Sequence, residues 1–286
     1  MDGTLLSADS RVSERSAKII SDISQRGALV TVATARTPAT VEPLLAKTYT
    51  SIPAIVMTGA ALWDRTEHSF INPVLYQPGL MQDVAAVMSR FGVNPFVYSL
   101  TAEGKMIVTH CGTLNRREDK FYQERRGLPL KKFVFNPAGG YGCDIADTIL
   151  MFGIGDFAVI KRLAHALGQD TRLSISAYSD IFNDSVGYIE VFSSGVSKAS
   201  AVLQLKEMTG AEKLIVYGDN LNDLPMFEVA DECVAPSNAK PEVKERASRV
   251  IGPNTADSVA LDMEALTVES KMLPQRGSHK GLLEIV

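Results

Sequence analysis

The sequence predicts an α/β fold, a doubly wound and mostly parallel core interrupted by an inserted α+β segment, and three observations lead to it. Apolar runs without alternation recur near both ends of the chain, each stopping at polar residues. Such runs suit strands buried on both faces, as in a parallel sheet covered by helices. Helically spaced apolar positions follow the runs. The middle of the chain reads differently, with adjacent strand candidates and a charged helical stretch.

Taken in order, residues 27–33 (GALVTVA) form the first run, ending in Thr34-Ala35-Arg36, and residues 53–57 (PAIVM) form the second, ending at Thr58-Gly59. In the middle segment Leu80, Val84, Val87, Met88 and Phe91 share one helical face. Strands are expected at 95–100 and 105–110, a charged helix at 114–126, and further strands near Phe133, Ile149 and Leu173. Phe157, Ile160, Leu163, Ala164 and Leu167 share a second helical face, and Ala199, Val202, Leu203 and Leu205 partly share a third. A strand at 188–192 returns the chain to the core. The run 214–217 (LIVY) stops at Gly218-Asp219-Asn220, with a short helix from about Leu224. A strand at 233–235, a helix near 241–247 and a strand at 249–251 follow. Pro73, Pro78, Gly79 and Gly187 mark the linkers. The expected division is therefore 1–76 with 188–286 as core and 77–187 as insertion.

The 286 residues allow one large domain or two ordinary ones, and 45% hydrophobic against 22% charged residues is globular composition. A net charge of -4 with both signs interspersed argues against nucleic acid as the main partner. No apolar stretch reaches the roughly 18 residues a membrane span needs, and the first residues show no secretory signal, so a cytoplasmic location is expected. Cys111, Cys143 and Cys233 are odd in number and far apart, which suggests neither a disulfide framework nor a zinc site. Reduced, mostly buried thiols are expected.

Ligands of open parallel sheets bind outside the carboxyl ends of the strands, so polar residues that stop apolar runs are the first candidates. These are Asp2-Gly3-Thr4, Thr34, Thr58-Gly59 and the cluster Gly218-Asp219-Asn220-Leu221-Asn222-Asp223. Two carboxylates and two amides in five residues suit Mg²⁺, and the same residues suit a helix N-cap; spacing alone leaves both readings open. In Gly195-Val196-Ser197-Lys198, Ser197 as N-cap places Lys198 in a first helical turn, where the macrodipole disfavours a cation. A nearby anion resolves that conflict; extension of Lys198 into solvent is the alternative.

Other signals are weaker. Gly153-Ile154-Gly155-Asp156-Phe157-Ala158 matches a dinucleotide fingerprint, with Asp180 downstream, but lies in the insertion rather than at the start of the main sheet. Neither a phosphate loop of the G-x-x-x-x-G-K-[S/T] type nor an H-E-x-x-H helix occurs. His68, His110, His165 and His279 are scattered and read as structural or exposed. Arg116, Arg117, Lys120, Arg125, Arg126, Lys131 and Lys132 interleave with Glu118, Asp119 and Glu124 and read as a solvated helix face.

Together and in order, Asp2-Gly3-Thr4-Leu5-Leu6, Ala33-Thr34-Ala35-Arg36, Thr58-Gly59-Ala60, Gly195-Val196-Ser197-Lys198 and the acidic cluster make the chain similar to the haloacid dehalogenase superfamily of aspartate-nucleophile phosphatases. The resemblance is to the Cof-type sugar-phosphatase branch with a large inserted cap, and it covers nearly the whole chain. It implies a Rossmann-like core, an α+β cap that closes over substrate, and Mg²⁺-dependent hydrolysis of a small phosphomonoester by a monomer or homodimer. In that resemblance Asp2 is the general acid/base, its backbone carbonyl also facing the metal. Thr34 holds the transferring phosphoryl group, with Ala35 and Arg36 beside the phosphate, and Lys198 neutralises phosphate and nucleophile. Asp219 is the direct Mg²⁺ ligand, Asp223 lies in the outer metal shell and Asn222 near the phosphate.

The sequence departs from the family at the start. The nucleophile is the aspartate two positions before the acid/base, and here Met1 immediately precedes Asp2. The strand that carries it, central in the family's sheet, is expected to be missing too, which would leave its two neighbours with unpaired backbone groups. The natural chain is accordingly expected to extend upstream by about one strand and the missing Asp, and the aspartyl-phosphate route belongs to that longer form. The alternatives are a catalytically dead phosphate- or metal-binding relative and a phosphomutase. Thr34-Ala35-Arg36 and Thr58-Gly59-Ala60 stand where the family has Thr-Gly-Arg and Asn-Gly-Ala.

Overall fold

The computed structural model describes residues 1–7, 9–101, 103, 105–136, 141, 147–180, 183–272 and 281–286, the side chains of 269–272 excepted. Cys143 and His279 lie outside the described residues. The chain forms two compact units, Met1–Ile71 with Ser197–Val286, and Asn72–Val196. The first begins with α1 (Glu14–Gln25), β1 (Leu29–Thr31), α2 (Pro38–Leu44), β2 (Ala54–Val56), β3 (Ala61–Asp64) and β4 (Ser69–Ile71). The second contains α3 (Leu80–Arg90), β5 (Phe96–Leu100), β6 (Met106–Cys111), α4 (Arg116–Arg125), β7 (Lys131–Asn136), β8 (Thr148–Asp156), α5 (Phe157–Leu167), β9 (Leu173–Ser179) and β10 (Val186–Ser193). The first resumes with α6 (Lys198–Thr209), β11 (Lys213–Tyr217), α7 (Leu224–Phe227), β12 (Glu232–Pro236), α8 (Pro241–Arg246), β13 (Arg249–Ile251), α9 (Ser258–Met272) and β14 (Leu282–Ile285).

The core sheet is parallel throughout, in the order β1-β14-β11-β12-β13. Leu214, Val216, Cys233, Ala235, Leu283 and Ile285 point to one face, where Ala201, Val202 and Leu205 of α6, Met226 and Phe227 of α7 and Val243 of α8 cover them. The alternate residues of the same strands face the opposite layer, in which α1 and α9 pack together. This is the doubly wound arrangement expected. The run at 53–57 joins it through one parallel bridge, Ala33 to Ile55, while β2 pairs antiparallel with β3, and β3 with β4, in a small separate sheet.

The expected gap in the middle of the sheet does not exist. Leu282–Ile285 occupies the central slot, parallel to β1 on one side and β11 on the other. The ladder continues past it: Val286 N–H donates to Thr31 O at 3.0 Å and Ala33 N–H to Val286 O at 2.7 Å. Backbone groups of β1 and β11 that an open slot would orphan are therefore paired by the other end of the same chain.

In the second unit a six-stranded sheet runs β7-β6-β5-β8-β10-β9, antiparallel except between β6 and β7. Leu80, Val84 and Met88 of α3 and Ile160 and Leu163 of α5 cover Val97, Met151, Ile189 and Val191 on one face. On the other, Phe121 of α4 lies 4.9 Å from the rings of both Phe96 and Phe152. The boundary at 188 needs correction. β10 is paired along its length with β8 and β9, so residues up to Val196 belong to the second unit. The dinucleotide reading also fails: Gly153 and Gly155 lie within β8 and pair with Ile189 and Gly187. A Cβ on Gly153 would stand 2.7 Å from Met88 Cε and Val93 Cγ1, so this glycine serves close sheet–helix packing and no phosphate-binding turn.

Of the remaining side chains singled out above, Cys111 and Cys233 are buried thiols, and burial pushes both up. His110 is fully buried with its Nε2 3.7 Å from Glu118. Arg117 pairs with Asp156, and Lys120 and Arg125 with Glu124, as on a solvated helix face.

Candidate active site

Three groups of polar residues gather where the core strands end. The first is built on the opening turn, where the Met1 carbonyl accepts from the N–H groups of Leu5 and Leu6 at 2.9 and 3.0 Å. Gly3 adopts φ +69°, and a Cβ there would stand 2.2 Å from Asp219 Oδ2. Only glycine combines this left-handed backbone with so close an approach. Thr4 Oγ1 donates to Asp219 Oδ1 at 2.5 Å, and Asn238 Nδ2 donates to Gly3 O at 2.7 Å, fixing the turn against the Asp219 loop. Burial pushes the Asp219 carboxyl up, against the hydrogen bond from Thr4 and the charge of Lys198.

The second group is Lys198 with Asp223. Ser197 caps α6 as expected, its side chain accepting from Ser200 N–H at 3.0 Å. Lys198 is the first helical residue and does not reach for solvent: its Nζ donates to Asp223 Oδ1 at 2.8 Å in a buried pair. The anion that the helix position called for is thus Asp223. Burial pushes the Asp223 carboxyl up, but Lys198, the Met1 amine and the N–H of Asn220 outweigh it and leave it below its ordinary value. Asp223 Oδ2 also accepts from the N–H groups of Asp219 and Asn220 at 3.2 Å, so the cluster is a capped turn as well as a carboxylate pair.

The third group is Asp2 with Arg36. Arg36 Nη2 and Nε reach Asp2 Oδ1 and Oδ2 at 2.6 and 3.0 Å. Burial would raise the Asp2 carboxyl, yet the guanidinium holds it below its ordinary value. The Thr34 hydroxyl is buried and accepts from Arg36 N–H at 3.2 Å. Thr58 N–H donates to Thr34 O at 3.0 Å, and the 57–59 turn has positive φ at Met57, Thr58 and Gly59. Such backbone is held only where its surroundings impose it, and here a Cβ on Gly59 would stand 2.2 Å from Ser197 O. Ala35 and Asn222 are exposed.

The Asp2 side chain pairs with Arg36 and that of Asp223 with Lys198, and among the described residues no group of three or more His, Cys, Asp or Glu side chains is placed to hold a metal. Asp219 is the carboxylate that fits a cation: a hard oxygen donor, raised by burial, with Gly3 keeping its Oδ2 side clear of a side chain. Asn238 was not among the sequence candidates, and nothing around it in the sequence marks it; Thr4 was named with Asp2-Gly3, but its hydrogen bond to Asp219 was not foreseen.

The haloacid dehalogenase-like hydrolase family model matches residues 1–263. A 5-amino-6-(5-phospho-D-ribitylamino)uracil phosphatase of Bacillus subtilis is 25% identical over 262 residues, covering 91% of this chain and 90% of the relative. A pyridoxal phosphate phosphatase of Escherichia coli is 36% identical over 102 residues, covering 35% of this chain and 34% of the relative. Among solved structures, a haloacid dehalogenase-like hydrolase from Bacteroides thetaiotaomicron has a TM-score of 0.72 at 18% identity, covering 93% of this chain and 96% of that one. A haloacid dehalogenase subclass IIB sugar phosphatase has a TM-score of 0.67 at 19% identity, covering 94% and 97%. No helix among the described residues is long and apolar enough to cross a membrane. The family model spans the strand ends, the opening glycine turn and the buried lysine–aspartate pair, and the chain belongs to the haloacid dehalogenase-like hydrolase family.

Proposed function

We propose that the protein, through the family's aspartyl-phosphate route in its full-length form, hydrolyses small phosphorylated metabolites with Mg²⁺ held at Asp219, and that the unit of residues 72–196 is the cap that selects the substrate. The observation that carries the reading is the Asp219 carboxylate facing the Gly3 turn, in the same short loop as Asp223 of the buried Lys198–Asp223 pair. Bound there, Mg²⁺ supplies neutralisation of phosphoryl charge. The protein residues then have separate tasks. Asp223 holds Lys198 in place through its buried hydrogen bond, and Lys198 presents a cation to phosphate oxygens. The Thr34 hydroxyl orients the transferring group. Arg36, bidentate on Asp2, can offer the same pair of donors to a phosphate, and its transfer would release the Asp2 carboxyl to move a proton at the leaving oxygen. Phosphoryl transfer depends mainly on such positioning and charge neutralisation. The aspartyl-phosphate route of the family needs a carboxylate two positions ahead of Asp2.

The name carried by the Bacillus subtilis relative supports 5-amino-6-(5-phospho-D-ribitylamino)uracil as the first substrate to try, with pyridoxal phosphate second. The experiment is phosphate release from a generic aryl phosphate and these two compounds, with and without Mg²⁺, for the chain and its Asp219→Asn variant. Mg²⁺-dependent release that disappears in the variant is the expected result. Phosphate binding with no release from any of them would assign the site to binding instead.

A further inference from the structure

The interior strand β14 of the core sheet carries a carboxyl group that the proposed chemistry does not use. Glu284, the one charged residue of β14, is 1% exposed, and its Oε2 has no hydrogen-bond partner. It lies on the sheet face opposite Leu283 and Ile285, level with Ile215 of β11 and Val30 of β1. The charged groups around it come from four elements: Tyr217 of β11, Glu232 of β12, Arg249 of β13 and Asp262 of α9. On the remaining sides β1 offers uncharged Val30, and the buried residues of α1 are Ser16, Ala17, Ile19, Ile20, Ile23 and Ser24.

Arg249, the cation whose charge pulls against that burial, is already engaged. Its Nε donates to Glu232 at 2.7 Å and its Nη2 to Asp262 Oδ2 at 2.6 Å, while its Nη1 also binds Asp262. Tyr217 donates to Asp262 Oδ2 at 2.8 Å, and Lys213 lies 2.8 Å from Glu232 on the exposed side. An ionised Glu284 would add a further buried negative charge beside Asp262 and Glu232, with a free oxygen and no guanidinium left to meet it.

We propose that Glu284 is a proton-operated latch of the core sheet: protonated, it lets β14 seat between β1 and β11, and ionised, it loosens that strand and the two strand ends that lead to Thr34 and Asp219. Burial and Asp262 push the carboxyl up to about 8, against the pull of Arg249. The sign follows from linkage. Above its ordinary value of 4.5 the unfolded chain has released this proton while the folded chain still holds it, so folding weakens about tenfold per pH unit from there to about 8 and is level beyond it.

The test uses the whole chain with glutamate carboxyl carbons labelled, titrated by NMR alongside Glu284→Gln, with amide exchange of residues 282–286 followed over the same range. The expected result is one resonance titrating near pH 8, absent from the variant, and β14 amides whose protection falls from about pH 4.5 to about 8 and levels beyond it in the parent but not in Glu284→Gln. Titration of every glutamate in the ordinary range overturns the proposal. So does β14 protection that stays constant from about pH 4.5 to about 8, a result readable on the parent protein even if the variant does not fold.

Discussion

Lys198 Nζ and Asp223 Oδ1 stand 2.8 Å apart with 7% and 4% of their side chains exposed, a charge pair removed from water next to the carboxylate of Asp219. Breaking such a pair from one side strands the other charge, at a cost of about 3–5 kcal/mol. Lys198→Ala is therefore expected to lower stability by that amount as well as to abolish phosphate release. The double change Lys198→Met with Asp223→Leu should recover part of the stability and none of the activity. Denaturant unfolding of the three proteins checks this, and a single variant as stable as the parent would remove the pair from the site's support. The pH sign is fixed by Asp223, whose value is lowered on folding: its contribution is present above the ordinary carboxylate range and is lost as pH falls below it.

Gly3 leads to a sharper prediction. Gly3→Ala meets a backbone at φ +69° and places a methyl group 2.2 Å from Asp219 Oδ2. The left-handed conformation alone costs about 1–2 kcal/mol for a residue with a Cβ, and relief of the clash must turn Asp219 or shift the turn. The expected outcome is a modest fall in thermal midpoint with loss of Mg²⁺-dependent turnover as complete as in Asp219→Asn. Unchanged turnover would show that the space in front of Oδ2 is not used.

How far the sequence disclosed this molecule depends on which interactions lay within one segment. Residues 214–217, Ser197-Lys198 and the cluster at 218–223 were legible because an apolar run, an N-cap and a carboxylate-rich turn are each local. The destination of 282–285 was not. Its pairing partners, Leu29–Thr31 and Lys213–Val216, are distant in sequence, and Glu284 breaks the apolar run that would have marked a central strand. The Asp2–Arg36 pair was hidden for a similar reason: both residues were read as facing a ligand, and only the fold shows them facing each other.

Charge pairs elsewhere in the chain should separate by burial. Arg249 donates to both Asp262 and Glu232 across the α9 side of the sheet, and hydrogen bonds to charged groups are worth about 1.5–3 kcal/mol. Arg249→Leu is expected to destabilise by at least that amount, since it leaves both Asp262 and Glu232 without their guanidinium. Lys18 and Asp22, at 2.6 Å but with 75% and 45% of their side chains exposed, give the contrast. Lys18→Ala should change stability by no more than about 0.5 kcal/mol. Equal effects in urea titrations would mean that distance rather than burial sets the strength of these pairs.

Gly153 distinguishes a packing glycine from a ligand-binding one. Gly153→Ala introduces a Cβ 2.7 Å from Met88 Cε and Val93 Cγ1 and 2.9 Å from Ile189 Cγ2, all within one close-packed layer. Met88 can yield at its flexible end, but Val93 and Ile189 are branched and held by their neighbours. Overpacking of this kind costs about 1–3 kcal/mol, so the variant should unfold at lower denaturant with the same slope. Neither parent nor variant is expected to bind NAD(P)H, because the Gly153–Gly155 backbone lies inside an antiparallel ladder and opens no turn toward a pyrophosphate. Quenching of NADH fluorescence by the parent protein, abolished in Gly153→Ala while stability is retained, would reverse this assignment.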